Sequence, residues 1–125
     1  MTYWNIKALV EFQGWMDSQS QDVRATIHEV MDQIKINPRL EYPFAKKLKD
    51  HVWELRAKVE KVQYRPLFCL GLGKGVLTFL IGATKTSHHR KTIFDPINAV
   101  ATAEARRNLI FENRRQASEY SKTKK

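Results

Sequence analysis

Three consecutive runs of alternating or continuous apolar residues between Leu48 and Lys85 constrain this chain more than any other feature. From Val52 to Val59, Trp53, Leu55, Ala57 and Val59 point one way, and Glu54, Arg56 and Lys58 the other. That is the period-two pattern of a half-buried strand. A second strand, about Gln63 to Leu70, sets Tyr64, Phe68 and Leu70 against Arg65. Pro66 has no N–H, so a bulge or an unpaired side is expected there. Gly71-Leu72-Gly73-Lys74-Gly75 supplies the positive-φ positions of a hairpin turn. Val76 to Gly82 is apolar except for Thr78, as in a central strand covered on both faces. Arg56 and Arg65 on neighbouring strands, with Lys85 at the end of the third, imply a cationic concave face.

A chain of 125 residues has room for one domain with a single core. The domain is expected over 1–117, with 118–125 a basic, frayed tail. No apolar run is as long as a membrane span, and the N-terminus does not read as a signal peptide, so a cytoplasmic protein with no membrane partner is expected. The single cysteine, Cys69, excludes an internal disulfide and lies in an apolar strand, where an inert thiol is expected. The net charge of +9 is uneven: residues 1–43 hold four basic and six acidic groups, the remainder eighteen and seven. That asymmetry points to a polyanionic partner, nucleic acid foremost, for the second part of the chain.

Two helices are expected before the strands. Ala8, Leu9, Phe12, Trp15 and Met16 recur at helical spacing over Lys7 to Ser18. Ser20 is placed to cap a second helix, whose stripe is Val23, Ile27, Val30, Met31 and Ile34, and Asn37-Pro38 stops it. The pair is expected to form a hairpin on the sheet, with His28 unpartnered. Lys46, Lys47 and Lys49 precede the first long strand, and serve equally as a solvated turn or as phosphate contacts. Thr84 to Lys91 reads as a basic loop containing His88 and His89. Asp95-Pro96 then opens a last helix with Asp95 as its cap.

Several chemistries find little support. The Gly-rich turn lacks P-loop spacing and joins two strands. His88 and His89 are adjacent and cannot share one face as metal ligands, so no metal or cofactor is expected. Glu54 and Glu60 are the only strand carboxylates, which gives a paired-carboxylate hydrolase little basis. What remains is a set of cations. Such a set can cleave RNA: arginines grip the scissile phosphate and stabilise its growing charge, while a lysine or histidine moves the proton. The candidate catalytic residues are Arg56, Arg65, Lys85, His88 and His89. Candidate RNA contacts are Lys46, Lys47, Lys49, Lys58, Tyr64, Arg90 and Lys91.

Leu48-Lys49-Asp50-His51-Val52-Trp53-Glu54-Leu55-Arg56 resembles the Leu-x-Asp-Gly-Leu-Trp-Glu-Leu-Arg segment of the phage-derived HigB-like toxins of the RelE/ParE superfamily. Tyr64-Arg65-Pro66-Leu67-Phe68 is similar to their Tyr-Arg-(Val/Ile)-Leu-Phe strand, and Ala103-x-x-Arg106-Arg107 to a pattern in their closing helix. The resemblance implies an α+β, RelE-like fold: an N-terminal helical hairpin on a small antiparallel sheet, closed by a C-terminal helix. It further implies a type II toxin, a ribosome-dependent mRNA interferase that cuts mRNA in the A site without metal and is neutralised by a cognate antitoxin with a helix-turn-helix domain. By that resemblance Arg56 and Arg65 hold the scissile phosphate, and Lys85 transfers a proton or stabilises charge. The sequence departs from the family at His51, where Gly is usual, at Thr84, which removes one cation, at Pro66, and across 86–94. The alternative is a non-catalytic phage or ParE-like protein that binds nucleic acid, gyrase or a host factor on the same scaffold.

Overall fold

The computed structural model describes residues 3–88 and 91–123. Its strands are β1 (Asn5–Ala8), β2 (Ala45–Lys49), β3 (Val52–Leu55), β4 (Ala57–Val59), β5 (Val62–Tyr64), β6 (Leu67–Leu70), β7 (Val76–Ile81), β8 (Thr84–His88), β9 (Lys91–Asp95) and β10 (Ser118–Glu119). Its helices are α1 (Val10–Asp17), α2 (Gln21–Lys35) and α3 (Ala99–Phe111). The strands form a six-stranded sheet, β10-β1-β7-β6-β3-β2, and a four-stranded sheet, β4-β5-β8-β9.

The two sheets share their middle strands in all but name. The first two expected runs are each broken once, at Arg56 between β3 and β4 and at Arg65-Pro66 between β5 and β6, and the third ends near Gly82 as expected but is followed, after the break at Gly82-Ala83, by the further strand β8. Backbone hydrogen bonds carry the pairing across the break. Leu55 N–H donates to Pro66 O at 2.8 Å and Arg65 N–H to Ala83 O at 2.8 Å. The three breaks therefore lie side by side and form a crease. Pro66 explains one of them, because it removes a donor, and the β6–β7 register shifts beside it. Gly82 explains another. A Cβ there would lie 1.8 Å from the Trp15 ring, so only glycine lets the indole pack against the backbone.

These observations overturn the expected architecture. In place of one small antiparallel sheet there are ten strands in two sheets among the described residues, and β1 joins β7 in parallel. The helices do not stack as a hairpin. α1 lies on β7 and α2 on β4, each anchored by its own apolar face. Nor does α3 close the fold, because β10 follows it and adds to the free edge of β1. α3 packs on β7, β6 and β3.

Strand alternation places a separate apolar cluster on each face of the six-stranded sheet. One joins Phe12, Met16, Ile27 and Met31 to Leu55, Phe68, Leu77 and Phe79. The other joins Ala99 and Ala103 of α3 to Val52, Leu67, Cys69 and Leu80. β7 is thus covered on both sides, as its composition requires. Burial pushes the Cys69 thiol up to about 12, which keeps it protonated and inert.

Other boundaries shift for local reasons. Ser20 caps α2 as expected, its hydroxyl accepting from Val23 N–H at 3.3 Å. Lys7 and Ala8 belong to β1, so α1 starts at Val10. The Lys46–Lys49 segment is no loop; it is the edge strand β2, and edge lysines discourage further pairing. The basic loop expected over Thr84 to Lys91 is overturned: Thr84–His88 and Lys91–Asp95 are the antiparallel strands β8 and β9, rich in β-branched residues. Asp95 ends β9, and the cap position of α3 falls to Asn98.

Part of the segment expected to fray is held at Tyr120. Tyr120 N–H donates to Ile6 O at 3.0 Å, and its phenol meets His28 Nε2 at 2.6 Å. His28 is therefore not the isolated helical histidine that its spacing implies.

Candidate functional site

The crease brings charged side chains into the interior. Glu54 is the one carboxylate of β3 and is 0 % exposed. Its Oε2 accepts from Arg56 NH1 at 2.6 Å and its Oε1 from Lys85 Nζ at 3.1 Å. Arg56 stands at the break between β3 and β4, and Lys85 on β8, so one carboxylate links two strands that are not neighbours. The two cations keep 21 % and 13 % of their side chains exposed, so both can still meet a ligand.

Strand register explains the convergence. Lys58, Gln63, Lys85 and Phe94 lie opposite one another across β4, β5, β8 and β9. Directly opposed residues share a face. Arg56 lies two residues before Lys58 on that face, and Lys46 is paired opposite Glu54 at the edge. An aromatic ring flanks the cations at either end. The Arg56 guanidinium lies 4.5 Å from the Tyr42 ring centroid, and Lys85 Nζ lies 5.0 Å from that of Phe94. Each contact fixes a cation without neutralising it.

Arg65 departs from the expectation of an open phosphate-gripping arginine. It is 5 % exposed. Its NH1 donates to Ala57 O at 2.8 Å and Tyr64 O at 2.9 Å, and its NH2 to Gln63 Oε1 at 3.1 Å. Nε is buried without a hydrogen-bond partner among the described residues. No carboxylate lies within ion-pairing distance of it among the described residues. Burial pushes its pKa below the ordinary arginine value, and the Arg56 charge adds to the effect. The carbonyls it holds line the crease, so Arg65 braces the bend and contributes charge from behind. Three cations thus gather around one buried carboxylate.

The other sequence candidates scatter. Lys58 is exposed on β4 beside Arg56. Lys46 and Lys47 are exposed on β2, while Lys49 reaches Glu104 of α3 at 3.1 Å. Tyr64 turns inward, 6.4 Å from Trp15, and belongs to the core. Lys91 is exposed on β9, paired opposite His88. His89 and Arg90 lie outside the described residues, as does the side chain of His88. Glu54, Tyr42 and Phe94 escape a reading by composition. A signal for Glu54 was present: Arg56 stands two residues on, hence on the same strand face.

No helix of the described residues is long and apolar enough to cross a membrane. A family model described as phage derived protein Gp49-like (DUF891) matches residues 14–108. Searches of the curated proteins and of the solved structures returned no match.

Proposed function

The chain belongs to the family of phage-derived Gp49-like proteins, and from that premise we propose that it is the toxin of a type II toxin–antitoxin pair, an endoribonuclease that cuts mRNA on the ribosome. One observation carries this reading. Glu54 can balance only one of the charges of Arg56, Arg65 and Lys85, so the crease holds positive charge that an anion is needed to complete. A phosphate of a single RNA strand supplies that anion.

In this mechanism the scissile phosphate rests against the exposed sides of Arg56 and Lys85. The substrate 2′-hydroxyl gives up its proton to solvent as its oxygen attacks phosphorus, the bond to the 5′-oxygen breaks to leave a 2′,3′-cyclic phosphate, and the charge that builds on the phosphorane meets the two side chains, already held by Glu54. Pre-positioning matters because no reorganisation is then needed at the moment of reaction. Lys85, as an ammonium, can also protonate the departing 5′-oxygen. Arg65 acts at longer range through its charge. Lys46, Lys58 and Lys91 extend the positive surface for the flanking phosphates, and a helix-turn-helix antitoxin would neutralise the protein.

Primer extension in a purified translation system tests this reading, with wild type compared against Arg56→Ala and Lys85→Ala. Cuts within codons that need both ribosomes and the two cations are expected. A folded wild-type protein that leaves mRNA whole would sink the nuclease reading. It would leave a scaffold that binds nucleic acid, gyrase or a host factor.

A further inference from the structure

A cleft of about 530 Å³ opens between α2 and β4, outside the cation cluster but touching it. Its volume falls in the ~300–1,000 Å³ range of small-molecule sites. α2 has two uses for its faces. Val23, Ile27, Met31 and Ile34 are buried in the core. The neighbouring stripe, with Glu29, Val30 and Gln33, looks over the cleft. Val30 and Phe44 form apolar walls, and Arg56 and Lys58 stand along the β4 side. Arg56 belongs to both the cleft and the cluster, so the two are continuous.

We infer that this cleft is a nucleobase subsite that receives a guanine next to the phosphate bound by Arg56. The inference rests on the RNA-cleaving reading given above. Apolar walls beside cations suit an unstacked base joined to a phosphate. Glu29 supplies selectivity. It is exposed at the rim and forms no ion pair among the described residues. A carboxylate only accepts hydrogen bonds. Guanine offers N1–H and its 2-amino group side by side, one for each carboxylate oxygen. Uracil offers one N–H between two carbonyls, which would face the carboxylate unfavourably. Gln33, with both donor and acceptor, completes the rim.

The test is an NMR titration of the full chain with 3′-GMP and 3′-UMP, alongside anisotropy with a short labelled single-stranded RNA. The amides of 29–33 and 56–58 are expected to shift with 3′-GMP, which should bind roughly tenfold tighter than 3′-UMP, in line with one bidentate base contact. Glu29→Gln, an exposed substitution, should bring the two nucleotides near parity. Val30→Trp, with circular dichroism as the folding control, should fill the cleft and abolish the preference. If the RNA binds while the cleft amides stay still, or if wild type binds both nucleotides alike, the subsite is wrong and the RNA reading stands. If neither nucleotide nor RNA binds, the subsite is wrong, and the cleavage reading is decided by the primer-extension assay alone.

Discussion

The six-stranded and four-stranded sheets are joined through three broken strands yet do different work. Around β3, β6 and β7 the six-stranded half is covered on both faces, with Phe68, Phe79, Leu77 and Leu80 fully buried. Beyond the crease, β8 and β9 expose Thr86, Ser87, Thr92 and Ile93. The first half has apolar burial to spare, and the second carries the row Lys58, Gln63, Lys85 and Phe94. Function collects at the join because a bent strand can be rooted in the core at one end and can present charge at the other. The difference teaches that a buried carboxylate such as Glu54 is tolerable only where cations from the join and from the second half reach it.

Truncation should expose that difference most plainly. Phe79→Ala is expected to cost about 3–5 kcal/mol in urea denaturation, since it empties a site between Phe12 and Phe68. Ile93→Ala, on the exposed β9, should cost well under ~1 kcal/mol. Similar losses in the two halves would erase the comparison.

At the join, Glu54→Ala leaves Arg56 and Lys85 without their common counter-ion and should cost roughly 3 kcal/mol. Glu54→Gln keeps the shape and should lose less stability while still misplacing the cations, so cleavage should fall further than folding does. Equal stability of Glu54→Ala and wild type would show that the carboxylate does not link the halves.

Arg65→Ala strands the carbonyls of Ala57 and Tyr64 and is expected to cost about 1–3 kcal/mol. An activity assay of that variant must therefore be read beside its melting curve. A variant as stable as wild type would make Arg65 a free phosphate ligand, as its sequence context suggests.

A smaller effect than at the join is expected at the edge of the six-stranded sheet. Tyr120→Phe removes the hydrogen bond to His28 and should cost about 1 kcal/mol. His28 is held below its ordinary 6.5, first by burial and then by the nearby Lys122 charge. The unfolded chain thus takes up the proton first as pH falls, and stability should drop from about pH 6.5 downward until the folded imidazole protonates too. Glutamine at position 28 should flatten that part of the pH profile. A profile unchanged by the substitution would place the pH dependence elsewhere.

Much of the candidate site was legible, though its wiring was not. Arg56 and Lys85 were visible as strand-borne cations, and alternation set Trp53, Leu55, Ala57 and Val59 on one face through the break at Arg56. Arg65 was visible too, but not its burial, because a guanidinium held by carbonyls leaves no mark on spacing. The β8–β9 hairpin was hidden by its polar residues, since strands exposed on one face lack the apolar rhythm that marks them. β10 was hidden for another reason: two residues carry no period, and Ser118 and Glu119 become a strand only because β1 offers a free edge.

Local chemistry by itself determined the long strands, the glycine turn with its positive φ at Gly71, Gly73 and Gly75, the cap at Ser20 and the basic second part of the chain. These follow from backbone sterics, side-chain alternation and charge, which act over a few residues. Only the tertiary structure decided that three strand breaks would fall in line, that Glu54 would be buried between Arg56 and Lys85, and that Tyr120 would meet His28. Those outcomes depend on pairing register and on residues up to 92 positions apart, whose proximity exists only once the sheets have formed.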